Sequence, residues 1–328
     1  MRPPRSLNTA SGHAVVCQRT LRQAIEARGI GLHSGARVRL TLKPGAPDSG
    51  ILFRRVDMPA GRGDIVASWR QVSSTRLCTT IANQHGASVA TIEHLMSALS
   101  GAGIDNAVIE IDGPEVPAMD GSAAPFLFLI DCAGTVEQPA ARRVIRILKP
   151  VRVGDAGGSA ALEPAAVPEV AFEIDFAAGA IARQEIAVSL VNGTFREAIG
   201  PARTFGFAHE VEAMRAAGLA RGGSLENAVV VDGNRVLNPE GLRFDDEFVR
   251  HKVLDCIGDL YLAGAPVIGR YVGRRAGHAY THRLLTALFA DAASWRYETL
   301  AAPFAHAAGT RAEAERDDME YPALAATA

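Results

Sequence analysis

Twice along the chain, segments with strand-like alternation give way to segments with helical spacing. That order narrows the possible folds more than any other feature. In the first half, Val38, Leu40 and Leu42 alternate with polar residues in RVRLTLKP, and ILFRRVD is a second strand candidate. ASVATIEHLMSALSGAGI then has helical spacing, with Ser88 or Thr91 near its start and Gly101 or Gly103 at its end. NAVIEID predicts a further strand, and PFLFLI a buried helix after the turn Asp120-Gly121-Ser122. The pattern breaks at QPAARR, between Glu137 and Arg143. Beyond it VIRILKPVRV, VAFEIDF and EIAVSLV are strand candidates, AGGSAALEP a flexible turn, and Asp232-Gly233 a hairpin turn. Helical patterns return in AHEVEAMRAAG, FDDEFVRHKVLDCIGDLYLAG and THRLLTALFA. Strands followed by helices, seen twice, predict an α+β fold of two similar domains, each a mostly antiparallel sheet layered with helices. The expected divisions are a disordered leader over 1–16, domains over 17–138 and 143–300, and a flexible tail over 301–328, rich in alanine and charge.

Composition excludes several function classes. A net charge of −2 over 328 residues gives no electrostatic case for nucleic acid, which would need a basic face. Cys17, Cys78, Cys132 and Cys256 lie far apart without a CxxC pair, which argues against a zinc ribbon or disulfide framework and fits a reducing cytosol. The N-terminal MRPPRSLNTASGHAVV carries arginines but no apolar core of a signal peptide. No apolar run approaches the roughly 20 residues of a membrane span. The expectation is a soluble, cytoplasmic, monomeric protein.

The stretch from Phe244 to Gly264 concentrates the chemistry. Asp245 or Asp246 can cap its start and Gly264 can end it. His251, Asp255 and Asp259 recur every fourth residue, so they fall within about 80° of one another on one helical stripe. An imidazole and a carboxylate one turn apart can grip a divalent metal. Taken alone, such a stripe is most often solvated. Cys256 and Gly258 beside it suggest close packing instead, and Lys252 suits an anionic substrate. Elsewhere, Glu93-His94 sits in a helical pattern. Adjacent helical residues point about 100° apart, so both reach one site only where the helix end abuts it. His33, among Gly29, Gly31 and Gly35, is most simply a turn residue, with a place near a site as the alternative.

TIEHLMSAL, NAVIEIDGPEVPAMDGSAAPF, ARTFGF, GLRFDDEFVRHKVLDCIGDL and AGHA, in that order between about Gln18 and Tyr297, resemble the UDP-3-O-acyl-N-acetylglucosamine deacetylases. These are zinc amidases of the committed step of lipid A synthesis in Gram-negative bacteria. The resemblance implies two α/β-layered domains of similar topology with the active site between them. It implies His94, His251 and Asp255 as ligands of Zn2+, with Fe2+ an alternative occupant in cells. Glu93 matches the general base, His278 the general acid, Asp259 the carboxylate that orients His278, and Thr204 the hydroxyl that helps hold the oxyanion. Lys252, Phe205, Phe207, Leu77 and His33 match substrate-contacting positions, and Cys78 a cysteine near the site that is not a required ligand. An insert near 206–235 would build an apolar passage for the fatty acyl chain, lined by Val211, Gly223 and Ser224. The turn from Gly154 to Ser159 departs from the pattern, lacking the basic residue that relatives can place near the nucleotide diphosphate.

The implied reaction is hydrolysis of the 2-acetamido group of the UDP-linked, 3-O-acylated glucosamine, releasing acetate. Two His and one carboxylate also describe the facial triad of non-haem iron oxygenases. A base beside the metal and a second His for the leaving group favour hydrolysis. A third reading is an α+β binding module without catalysis, which absence of stoichiometric metal would support.

Overall fold

A computed structural model describes residues 15–300. The expected tail, and the leader apart from Val15 and Val16, lie outside the described residues. The first half runs through strands β1 (Ile25–Ile30), β2 (Arg37–Pro44), β3 (Ile51–Arg55) and β4 (Asp64–Val66), helix α1 (Glu93–Ala102), strand β5 (Ala107–Ile111) and helix α2 (Ala124–Ala133). The second half repeats that order. It has β6 (Val151–Gly154), β7 (Ser159–Glu163), β8 (Glu169–Asp175), β9 (Arg183–Ser189), an additional helix α3 (Ala208–Ala216), then α4 (Glu247–Tyr261), β10 (Arg270–Arg274) and α5 (His278–Ala290).

The sheets share one topology. Their strand orders are β1-β2-β5-β3-β4 and β6-β7-β10-β8-β9. In each, the last strand inserts at the centre, antiparallel to the second strand and parallel to the third. The outer pairs are antiparallel hairpins. Two mostly antiparallel sheets with helices packed on them make the fold α+β, as the repeated order predicts. No helix among the described residues is long and apolar enough to cross a membrane.

Alternation drives the strands. Val38, Leu40 and Leu42 on β2, and Val170, Phe172 and Ile174 on β8, are buried, while Arg37 and Arg39 face outward. A continuous apolar core joins Leu40, Phe53 and Leu95 of the first half to Phe248, Leu254 and Tyr271 of the second. At its middle α1 packs directly on α4. Gly258 permits the approach, because a Cβ there would lie 2.0 Å from the Glu93 carbonyl oxygen.

Several local expectations fail for identifiable reasons. QPAARR belongs to a strand, Thr135–Ala141, paired with Cys17–Leu21, and Pro139 falls where the register shifts and no ladder N–H is needed. AGGSAALEP contains β7, whose low-propensity small residues are held between β6 and β10. Helix α1 starts at Glu93 because Ser88–Val89 pairs as a strand and Thr91 adopts φ 56°, its hydroxyl donating to Glu115 Oε1 at 2.8 Å. Asp246 occupies the N-cap position of α4 without a capping bond, its carboxylate pairing with Arg250 instead. Phe128 of α2 is exposed, so PFLFLI is buried on one face only. A strand at Trp295–Thr299, which the sequence pattern did not suggest, pairs with Arg143–Ile147.

Candidate metal centre and active site

The first turn of α1 meets the middle of α4, and this contact assembles the polar cluster. Glu93 opens α1, so the helix end abuts the site and both Glu93 and His94 reach it. From α4 come His251, Asp255 and Asp259, which are 2%, 5% and 4% exposed, so the stripe is buried and not solvated. His278 opens α5 and closes the far side.

His94, His251 and Asp255 each present a ligand atom, and these atoms lie within 4.8 Å of one another. Asp255 Oδ1 is 3.2 Å from His251 Nε2 and 3.6 Å from His94 Nε2. The Nδ1 of His251 lies 3.1 Å from the Ala202 carbonyl, which requires Nδ1–H as donor and leaves the Nε2 lone pair facing the cluster. Lys252 Nζ donates to Asp255 Oδ2 at 2.6 Å, leaving Oδ1 buried without a hydrogen-bond partner. Burial favours a protonated Asp255, but His251 and Lys252 outweigh it and hold the carboxyl well below the usual range. Burial keeps His94 neutral by lowering its pKa. Two imidazole lone pairs around an anionic, unpartnered carboxylate oxygen are the donor set a divalent transition metal takes.

A second group adjoins it. His278 Nδ1 lies 2.7 Å from Asp259 Oδ2, and His278 Nε2 lies 3.7 Å from Glu93 Oε1. Burial disfavours the imidazolium, yet the Asp259 charge and hydrogen bond prevail and push His278 up to about 9. Burial, only partly offset by His278, pushes Glu93 up to about 8.

Glu93, His94, His251, Asp255 and His278 line a pocket of ≈ 330 Å³ together with Leu32, His33, Leu77, Thr204, Phe205 and Lys252. Hydrogen bonds from its backbone to Gly121 and from Val229 to its carbonyl pin Thr204 in the wall. Phe205 stacks edge-on against Phe248 and reaches toward His251. The His33 turn is held by Glu115, which accepts from the backbone N–H of His33 and Ser34 at 2.9 and 2.7 Å. Burial lowers the His33 pKa, and its Nδ1 is unpartnered. Cys78 is buried beside the pocket; burial and the Glu93 charge push its thiol up to about 11, unlike a metal-binding thiolate.

The remaining candidates stand farther out. Phe207 contacts Phe176, a pocket residue, with ring centroids 5.7 Å apart. Val211 lies half-buried on α3, and neither it nor Gly223 nor exposed Ser224 lines the pocket. Their segment still touches the site, because Arg221 and Gly222 donate backbone hydrogen bonds to the His33 and Leu32 carbonyls. Thr79, Glu115, Phe176 and Arg275 escaped sequence reasoning. Arg275, two residues before the AGH glycine and reaching the Ala156 carbonyl, was the most accessible of them, since it puts a cation near the turn that lacks one. A larger cleft of ≈ 420 Å³, lined by Val144, Val170, Leu190 and Phe195, carries no His-carboxylate cluster among the described residues. Chemistry and not volume therefore locates the site.

Comparison with known proteins places the chain in a family. A protein of Phenylobacterium zucineum named UDP-3-O-acyl-N-acetylglucosamine deacetylase is 52% identical over 290 residues, 88% of this chain and 99% of that protein. Proteins of the same name from Chromobacterium violaceum and Acidithiobacillus ferrooxidans are each 50% identical, over 88% and 89% of this chain and 95% and 97% of their own lengths. The sequence profile of the UDP-3-O-acyl N-acetylglycosamine deacetylases matches residues 18–290, which include every group of the cluster, and the chain belongs to that family.

Proposed function

We propose that this enzyme is a metal-dependent amidohydrolase that removes the N-acetyl group from UDP-3-O-acyl-N-acetylglucosamine, the committed step of lipid A biosynthesis. The observation that carries the reading is the unpartnered Asp255 Oδ1 between two imidazole nitrogens, with Glu93 and the Asp259–His278 pair beside it. His94, His251 and Asp255 would hold the metal, zinc by preference for this donor set, with ferrous iron an alternative occupant in cells. When bound, it supplies Lewis acidity that polarises an amide carbonyl and makes water acidic near neutral pH.

The chain's own groups divide the proton work. Glu93, when ionised, accepts the proton of the attacking water. Its pKa, pushed up to about 8 by burial, makes the ionised form a stronger base than an ordinary carboxylate and increasingly populated as pH rises toward that value. The Thr204 hydroxyl steadies the oxyanion that develops on the amide carbonyl oxygen. His278 remains protonated at pH 7 and donates to the departing nitrogen, which amide cleavage requires because an amide anion leaves poorly. Lys252 holds Asp255 in place and faces the pocket as a cation for the anionic substrate.

For the acyl chain, the rings of Phe205, Phe176 and Phe207 make an apolar path from the pocket toward the 206–235 insert, where Val211, Gly223 and Ser224 would line its continuation. Each buried methylene contributes about 0.8 kcal/mol, so a ten-carbon chain adds several kcal/mol after ordering losses. Purified protein should release acetate and free amine in equal amounts from the acylated nucleotide sugar. Its kcat/KM should fall by orders of magnitude on the analogue without the acyl chain. Release of no acetate from the acylated compound would refute the reading.

A further inference from the structure

The base and the acid are carried by separate helices, yet one residue is bonded both to the base and to the carboxylate that holds the acid. Thr79 lies in the chain segment before the strand Thr80–Ala82 and is 2% exposed. Its backbone N–H donates to Glu93 Oε2 at 3.1 Å, and its hydroxyl lies 2.6 Å from Asp259 Oδ1. An ionised carboxylate only accepts, so the hydroxyl is the donor. Its carbonyl in turn accepts from Ile92 N at 3.4 Å, tying the segment to the start of α1.

Asp259 is thereby gripped at both oxygens, Oδ1 by Thr79 and Oδ2 by His278 Nδ1. A carboxylate held at one oxygen alone can turn about its broad terminal torsion. Held at both, it fixes the plane in which it meets the imidazole, and so the direction of His278 Nε2. That nitrogen faces Glu93 Oε1, whose partner oxygen is the one Thr79 holds.

We infer that Thr79 is a positioning residue for the hydrolysis, acting through Asp259 to aim His278 and setting the distance between acid and base. This role rests on the hydrolase reading above. Serine can fill it, because serine keeps both donors. Valine keeps the shape and the backbone N–H but leaves Asp259 Oδ1 without its donor.

The test is a double-mutant cycle on metal-loaded enzyme with Thr79→Val, Thr79→Ser and Asp259→Asn, reading kcat, KM, metal content and melting temperature. Thr79→Val should lower kcat by about 10- to 100-fold, the span of a lost hydrogen bond to a charge, with KM within about twofold. Metal content should stay at the wild-type level, and Thr79→Ser should come within about threefold of wild type. In the Asp259→Asn background, Thr79→Val should remove less than about twofold more, because the residue it acts through is already disabled. Should the valine variant not fold, Thr79→Ala takes its place in the cycle. Wild-type kcat in Thr79→Val, equal losses for serine and valine, or a full multiplicative loss in the Asp259→Asn background each overturn the role. If the wild type releases no acetate, the hydrolase reading falls and this role with it. If Asp259→Asn is impaired while Thr79→Val is not, only this role falls.

Discussion

In the proposed reaction the chemistry turns on two atoms, Asp255 Oδ1, left without a hydrogen-bond partner, and His278 Nε2, aimed by the bond from its Nδ1 to Asp259. Replacing Glu93 by Gln keeps the shape and removes the proton acceptor. Metal content should persist while kcat falls by roughly 10²–10⁴-fold; a matching fall in metal content would make Glu93 a ligand instead. For His278 the sign follows from its pKa of about 9, raised above 6.5 by Asp259 against the effect of burial. The imidazolium is present below that value and lost as pH rises through it, so the rate should fall on the alkaline side. His278→Ala should remove that limb along with most of the rate, and an unchanged limb would give the acid's role to another group. The roles of Glu93, His94, His251, Asp255, Asp259 and His278 were suggested by motif and helical spacing. Thr79 was not, because its partner Asp259 lies 180 positions away and a lone threonine carries no periodic signal.

At the scale of elements, the contact between α1 and α4 holds the site together, and Gly258 sets how close it can be. A Cβ at that position meets the backbone oxygen of Glu93 at 2.0 Å, and backbone cannot swing aside as a side chain could. Gly258→Ala should therefore push the helices apart, lowering stability by about 1–3 kcal/mol and the melting temperature by roughly 2–10 °C. Metal affinity should drop with it, since His94 sits on one helix and His251 and Asp255 on the other. Wild-type melting and metal binding in this variant would contradict the close approach. Helices α1, α4 and α5 were legible from their apolar spacing. The strand Thr135–Ala141 and β7 were not, because proline, glycine and alanine lower local strand propensity and only the partner strands supply the pairing.

Across the whole molecule, the repeated order of strands and helices anticipated two similar halves. It did not reveal that the two sheets share one strand order, because inserting β5 between β2 and β3, or β10 between β7 and β8, depends on pairing between distant segments. That insertion sends the chain through α1 before β5 and α4 before β10, so equivalent helices of the two halves meet and each brings part of the proposed ligand set. The most direct measurement is metal analysis of purified wild-type and His251→Ala protein, coupled to acetate release from the acylated nucleotide sugar. The wild type should carry about one equivalent of zinc, lose turnover on chelation and regain it on adding zinc back, while His251→Ala should lose both metal and turnover. Full metal content and turnover in His251→Ala would contradict the account.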